Sequence, residues 1–143
     1  MKNKFPLEVV LTIRRNEETS QAMKLEAIKE KRRALLEKLD EVRLEIEVQG
    51  KRSPKLFSAF ELLSGQRYNE LLYRRSATML SEIEKTAVRE AAQRKALLSA
   101  LMERKKIDKL KELWRDKRAR ELDRTEAREM DETARFQFSR EEQ

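Results

Sequence analysis

The chain has 143 residues, of which 43% are charged and only 6% aromatic, and 34 basic against 27 acidic side chains leave a net charge of +7. So little apolar bulk excludes a thick globular core. Abundant Ala, Glu, Lys, Leu and Arg beside two glycines and two prolines is the composition of long helices that bury a narrow seam. Cysteine and histidine are both absent, which removes disulfides, thiolate chemistry, the commonest general base and the commonest nitrogen ligand for metals. A cytoplasmic location fits this composition.

The chain opens with "MKNKFPLEVVLTIRRNEE". Two lysines precede a short apolar stretch, but Glu8 interrupts it and no small-residue cleavage site follows, so no secretory signal is expected. No segment approaches the roughly 18 apolar residues needed to span a bilayer.

From about Phe5 to Gln49 the pattern predicts one helix. Leu25, Ile28, Arg32, Leu35, Leu39, Val42 and Ile46 are spaced alternately three and four apart, a heptad seam that keeps one stripe facing a partner helix. Extending the register backwards gives Leu7, Leu11, Arg14, Glu18 and Gln21. Residues 14 to 21 are therefore expected to be helical but loosely paired, because polar seam positions lower stability while restricting register.

"QGKRSPK" at 49 to 55 then brings Gly50 and Pro54 close together. Gly50 can end a helix in the left-handed conformation, Ser53 can cap the next one, and Pro54 suits a first turn where no amide hydrogen is needed. The glutamate that would complete a capping box with Ser53 is missing, since Leu56 stands there. A turn over 50–54 is expected, with a second helix over 55–138.

That second helix begins "KLFSAFELL" and carries Leu71, Leu72, Met79, Leu80, Ile83, Leu97, Leu98, Leu101, Ile107, Leu110 and Trp114. Its stripe drifts between registers, and the apolar signal thins around Arg74 to Ser76 and Thr86 to Lys95. Gly65 reads as a tolerated interior glycine. At 1.5 Å per residue the two helices would be ~68 and ~125 Å long. Folded back about residue 52, they put Phe5 near Ser99 and leave everything beyond about residue 100, Trp114 included, as an overhang of 13 basic and 12 acidic residues. The expected fold is all-α: one two-helix antiparallel coiled-coil hairpin spanning 1–143, with a longer, overhanging C-terminal helix.

No phosphate-binding Gly-rich loop or nucleophile elbow appears, and "EMDE" at 129–132 reads as a solvated helix face. An enzyme is not expected, and neither is a cofactor, a metal site or a small-molecule substrate. The basic stretches "KEKRR" (29–33) and "ERKKIDKLK" (103–111) have acids inside or beside them, and the few aromatics are not interleaved with a basic run. This is poor material for a nucleic-acid footprint. A basic nucleic-acid-binding helical protein and a generic homodimeric coiled-coil scaffold remain as alternatives.

Two stretches carry a resemblance. "FPLEVVLTIRRNEE" resembles the usual opening of the flagellar export protein FliJ family and its type III secretion stalk relatives. "LMERKKIDKLKELWRDKRARELDRTEAREMDETA" resembles that family's C-terminal pattern of a basic cluster, a Leu-rich turn, a spaced Glu126 and the Asp131–Glu132 pair. The resemblance implies a non-enzymatic coiled coil of the bacterial export apparatus, cytoplasmic and peripherally associated with its inner-membrane part, monomeric when isolated. It implies three partners: the export ATPase hexamer, the cytoplasmic domain of the membrane export gate, and export chaperones. Combined with the residue pattern, it makes Leu7, Leu11, Leu110, Trp114 and Arg118 candidates for ATPase contact. Trp114 can equally cover a local seam. Phe57, Phe60, Leu63 and Tyr68, beside the turn, are the candidates for the gate.

Overall fold

The computed structural model describes residues 4–52 and 58–142, and among them only helices occur: α1 (Glu8–Gly50) and α2 (Ala59–Glu141). At 43 and 83 residues, the helices extend about 65 and 125 Å at 1.5 Å per residue. Few residues in either resist the helix. The hydroxyls of Thr12, Thr78, Thr86, Thr125 and Thr133 each donate to the carbonyl four residues earlier, so these interior threonines are satisfied within the helix.

The ends of the helices differ from expectation. Among the described residues no glycine has a positive φ, so Gly50 does not end α1 in the left-handed conformation. The last turn tightens instead: the Lys51 amide donates to the carbonyls of Glu47 and Val48 at 3.1 and 3.3 Å, and the Arg52 amide to that of Gln49 at 3.4 Å. These bonds occupy carbonyls that would otherwise be orphaned at a helix C-terminus. Helix α2 opens on a capping box. The Glu61 amide donates to Ser58 Oγ at 3.2 Å and the Ser58 amide donates back to Glu61 Oε2 at 3.4 Å, so two orphan donors are satisfied reciprocally. The cap is thus Ser58, with α2 starting at Ala59 rather than 55. Ser53, Pro54 and Phe57 lie outside the described residues.

The chain divides into two compact units. The first, Thr19–Ser99, is a helical hairpin holding the later part of α1, the connection and the first half of α2. The second joins the stretch up to Glu18 with that from Ala100 onward. In each unit the helix segments run antiparallel.

In the hairpin unit the α1 seam falls where three-and-four spacing puts it. Leu25 and Leu39 are buried, and Ile28, Arg32, Leu35, Val42 and Ile46 are half-buried. Opposite them, α2 turns a stripe of the same spacing inward: Gly65, Asn69, Leu72, Ser76, Met79, Ile83, Thr86, Glu90, Gln93 and Leu97. The register is steady, although half of these side chains are polar. Leu71, Leu80 and Leu98, which resemble seam residues by composition, are exposed. Enclosed leucines such as Leu39 and Leu72 contribute roughly 1.5–3 kcal/mol each.

In the terminal unit Phe5 and Leu11 are buried against α2. Lys111 Nζ reaches Glu8 at 2.9 Å and Arg15 reaches Asp108 at 3.5 Å. Phe5 therefore lies opposite Trp114, not Ser99, with ring centroids 5.8 Å apart. The expected hairpin started α2 at 55, whereas α2 starts at Ala59. The unpaired part of α2 begins later than expected: from Ala119 onward every described residue is exposed.

Candidate partner-binding faces

The seam of the hairpin unit contains its least expected chemistry. Glu90 is only 3% exposed, yet its carboxylate accepts from Arg32 at 2.6 Å and from Arg94 at 2.8 Å. A carboxylate removed from water is costly unless paired, and here two guanidiniums meet it while their own outer edges stay in solvent. One helical turn earlier, the Thr86 hydroxyl is occupied by the Glu82 carbonyl at 2.8 Å, which leaves its methyl to pack as an apolar group. Next along, Gln93 Nε2 donates to both the backbone oxygen and side-chain Oε1 of Gln21, at 3.0 and 2.5 Å. These polar layers replace the apolar ones that a composition-based search looks for, and Glu90 was missed for that reason.

The terminal unit has a matching layer. Arg104 donates to both Glu18 and Asp108. Its guanidinium is held still further above its ordinary value, first by the hydrogen bond to Glu18, then by the one to Asp108. Glu18, expected to be loosely paired, thus has a defined partner.

The residues expected at the export ATPase all fall in the terminal unit. Leu7 and Leu110 are exposed, whereas Leu11 is fully buried and available only as internal support. Trp114 is half-buried against Phe5, and the Arg118 guanidinium lies over its ring at 5.8 Å from the centroid, within cation–π range. Trp114 thus covers a local seam and stays partly exposed.

The residues expected at the export gate fall in the hairpin unit beside the connection. Phe60 is 79% exposed and Leu63 more than half exposed, and Leu62 is exposed beside them. Tyr68 is partly covered, its hydroxyl donating to Glu45 Oε1 at 3.3 Å. Next to this patch is a cavity of about 170 Å³ lined by Gln49, Arg52, Glu61, Leu62, Gly65, Gln66 and Asn69.

The two helices bury a narrow, partly polar seam and leave large apolar side chains exposed in both units. The family model described as Flagellar FliJ protein matches residues 2–143, and the chain belongs to that family. It is accordingly a component of flagellar protein export, in a family whose role is structural rather than enzymatic. No curated protein and no solved structure matches the chain. Among the described residues, no helix is long and apolar enough to cross a membrane.

Proposed function

We propose that the protein is the stalk component of the export apparatus, meeting the export ATPase hexamer through its terminal unit and the cytoplasmic domain of the export gate through the connection end of its hairpin unit. It assists export chaperones in the same setting, associating peripherally with the inner-membrane apparatus.

One observation carries this reading. Helix α2 continues from Ala119 to Glu141 with every described residue exposed, and its heptad continuation through Glu121, Thr125, Arg128, Glu132 and Arg135 offers no apolar layer. A lone polar helix draws only about 0.2–0.5 kcal/mol from each i,i+4 pair, and isolated helices are marginal in water. Such a segment gains most when a host surrounds it, as a hexameric ring does. The same polar continuation disfavours a homodimer zipped through this segment. Leu7 and Leu110 supply apolar contact at its base, and the partly exposed Trp114 with Arg118 supplies an aromatic and cationic anchor of the kind that dominates interfaces.

The test is a pull-down of the full chain with the purified export ATPase, with ATP turnover and ring assembly measured alongside. Stimulated turnover by a monomeric chain is the expected result. A chain that sediments as a dimer and leaves the ATPase unchanged supports the scaffold alternative, and steeply salt-dependent retention on DNA supports the nucleic-acid one.

A further inference from the structure

The terminal unit holds its helices together by other means than the hairpin unit does. The division between the units falls after Glu18 on α1 and before Ala100 on α2. Among the described residues up to Glu18, only Phe5 and Leu11 are buried, and three ion pairs to α2 stand beside them: Glu8 with Lys111 at 2.9 Å, Arg15 with Asp108 at 3.5 Å, and Glu18 with Arg104. All of these charged side chains keep contact with water, from 17% exposed at Lys111 to 54% at Arg15. Ion pairs of that kind contribute little each and are screened by salt. The hairpin unit relies instead on buried Leu25, Leu39 and Leu72, with half-buried Leu35, Val42 and Ile83 in the same seam, and apolar burial is not screened. Separation in the terminal unit also strands no charge in an apolar interior. Arg104 bonds Asp108 one turn along its own helix at 2.5 Å, and Arg14 bonds Glu17 within α1 at 3.1 Å, so local pairs remain on both helices.

We propose that the segment from Phe5 to Glu18 is a releasable strap, latched onto α2 by these three ion pairs and opening as one piece while the hairpin unit stays folded. Segments with few buried apolar contacts open at lower free energy than the cores beside them, and here the boundary between the units gives the opening a defined inner end. Leu11 is internal support only while the strap is closed. Release uncovers Phe5 and Leu11 on the strap and frees Trp114 from the Phe5 ring that lies against it. The latch therefore decides whether this apolar surface is covered or offered, and a partner that takes the surface shifts the balance toward the open form. Raised ionic strength acts in the same direction, because it weakens the latch and leaves the apolar contacts in place.

Native-state hydrogen exchange on the full chain tests this. A released segment of about ten residues is too short to remain helical on its own, so its amides report the opening. The amides from Thr12 to Glu18 are expected to exchange at one common opening rate, at least tenfold faster than those around Leu39 and Leu72. Raising sodium chloride from about 0.05 to about 0.5 M should speed the strap amides at least threefold more and the hairpin amides less than twofold. Acrylamide quenching of the single tryptophan should rise over the same salt range. At low salt Lys111→Glu, which sets two carboxylates against each other, should reproduce the effect of high salt, and combining it with Glu8→Lys should restore slow exchange. Rates that grade smoothly inward from the helix end, with no step after Glu18, are ordinary fraying and overturn the proposal. Strap amides as slow as those of the hairpin, or indifferent to both salt and Lys111→Glu, overturn it as well.

Discussion

The ring of Phe5 lies against that of Trp114, tilted by 57° with centroids 5.8 Å apart, so the start of the chain is held to α2 by the protein's one tryptophan. Phe5 precedes α1, and the Glu8 amide donates to its carbonyl at 3.1 Å, so the clamp and the first turn of the helix form together. From Ala119 onward every described residue of α2 is exposed. The aromatic contact therefore marks the end of mutual support between the helices and the start of the surface available to a partner.

Phe5→Ala is expected to release that end. Full enclosure would make the loss about 3–5 kcal/mol, but Trp114 is half-exposed, and roughly 2 kcal/mol of local stability is the expected loss. Because the chain has a single tryptophan, its fluorescence reads the event directly. Emission should shift to longer wavelength in the variant while the far-ultraviolet helix signal barely changes. An unshifted spectrum means that the two rings are not in contact in solution.

Glu90 gives a prediction in which two substitutions move in opposite directions. Glu90→Ala leaves Arg32 and Arg94 facing an empty seam position. Since both guanidiniums reach water, the ~3–5 kcal/mol for a fully enclosed pair is an upper limit, and a loss of about 1–2 kcal/mol is expected. Glu90→Leu fills the same position with an apolar group and should be neutral or stabilising, as replacement of buried ion pairs by packed hydrophobes often is. Urea unfolding followed by circular dichroism measures both. A midpoint that falls as far for leucine as for alanine means that the charge layer itself stabilises the hairpin.

These two sites also show what could be read in advance. The seam of α1 was legible because Leu11, Leu25 and Leu39 repeat at heptad spacing and are the residues that bury. The seam of α2 was not, because Thr86, Glu90, Gln93 and Arg104 occupy its positions, and a search for apolar periodicity passes over polar layers even when spacing is preserved. The pairing of Phe5 with Trp114 was missed for a local reason. Gly50 and Pro54 drew the turn to 50–54, while the serine and glutamate that cap α2 stand at 58 and 61. A capping box is a sequence signal in its own right, and weighing Ser58 and Glu61 above Pro54 moves the expected register toward the observed one. Phe60 and Leu63 are exposed because the stripe that α2 turns inward there runs through Gly65 and Asn69 instead. The Gly65 cavity was invisible, because an interior glycine looks the same in sequence whether the space beside it is filled or open.

Ser58→Ala tests the cap itself. Removing the oxygen that accepts from the Glu61 amide should cost about 1 kcal/mol, the usual value of an N-cap. The loss should be local. Hydrogen exchange of the amides from Ala59 to Leu63 is expected to accelerate roughly fivefold while exchange around Leu72 and Met79 stays as it was. Ser58→Asp, which restores an acceptor and adds a charge favoured at a helix N-terminus, should recover the wild-type rates.

Phe60→Ala bears on the gate-facing patch. With 79% of its surface in water, Phe60 contributes little to the fold, and a melting temperature within a degree or two of wild type is expected, as for most surface substitutions. Binding of the gate domain should weaken at least tenfold, about 1.4 kcal/mol, if the patch is an interface centre. Leu80→Ala, exposed further along α2, provides the control and should bind normally. Equal losses at both positions point to a diffuse effect on the helix and not to a local face.

Truncation after Arg118 addresses the lone helix directly. Every described residue from Ala119 onward is exposed, and the contact of Arg140 with the Phe136 ring, at 5.3 Å, is internal to the removed segment. The ion pairs Glu8–Lys111, Arg15–Asp108 and Glu18–Arg104, which join α1 to α2 in the terminal unit, survive the cut. Helix content should therefore fall in proportion to the residues removed, while the urea midpoint changes by less than about 0.5 kcal/mol in stability. Stimulation of the export ATPase should be lost. Arg120→Glu, Arg124→Glu and Arg128→Glu combined in the full chain separate surface from length: these residues stand four apart, one stripe of a helix, so reversing their charge alters that face and leaves the segment present. If the triple variant stimulates the ATPase as well as wild type while the truncated chain does not, the arginine stripe is dispensable and the reach of α2 is what the ATPase requires.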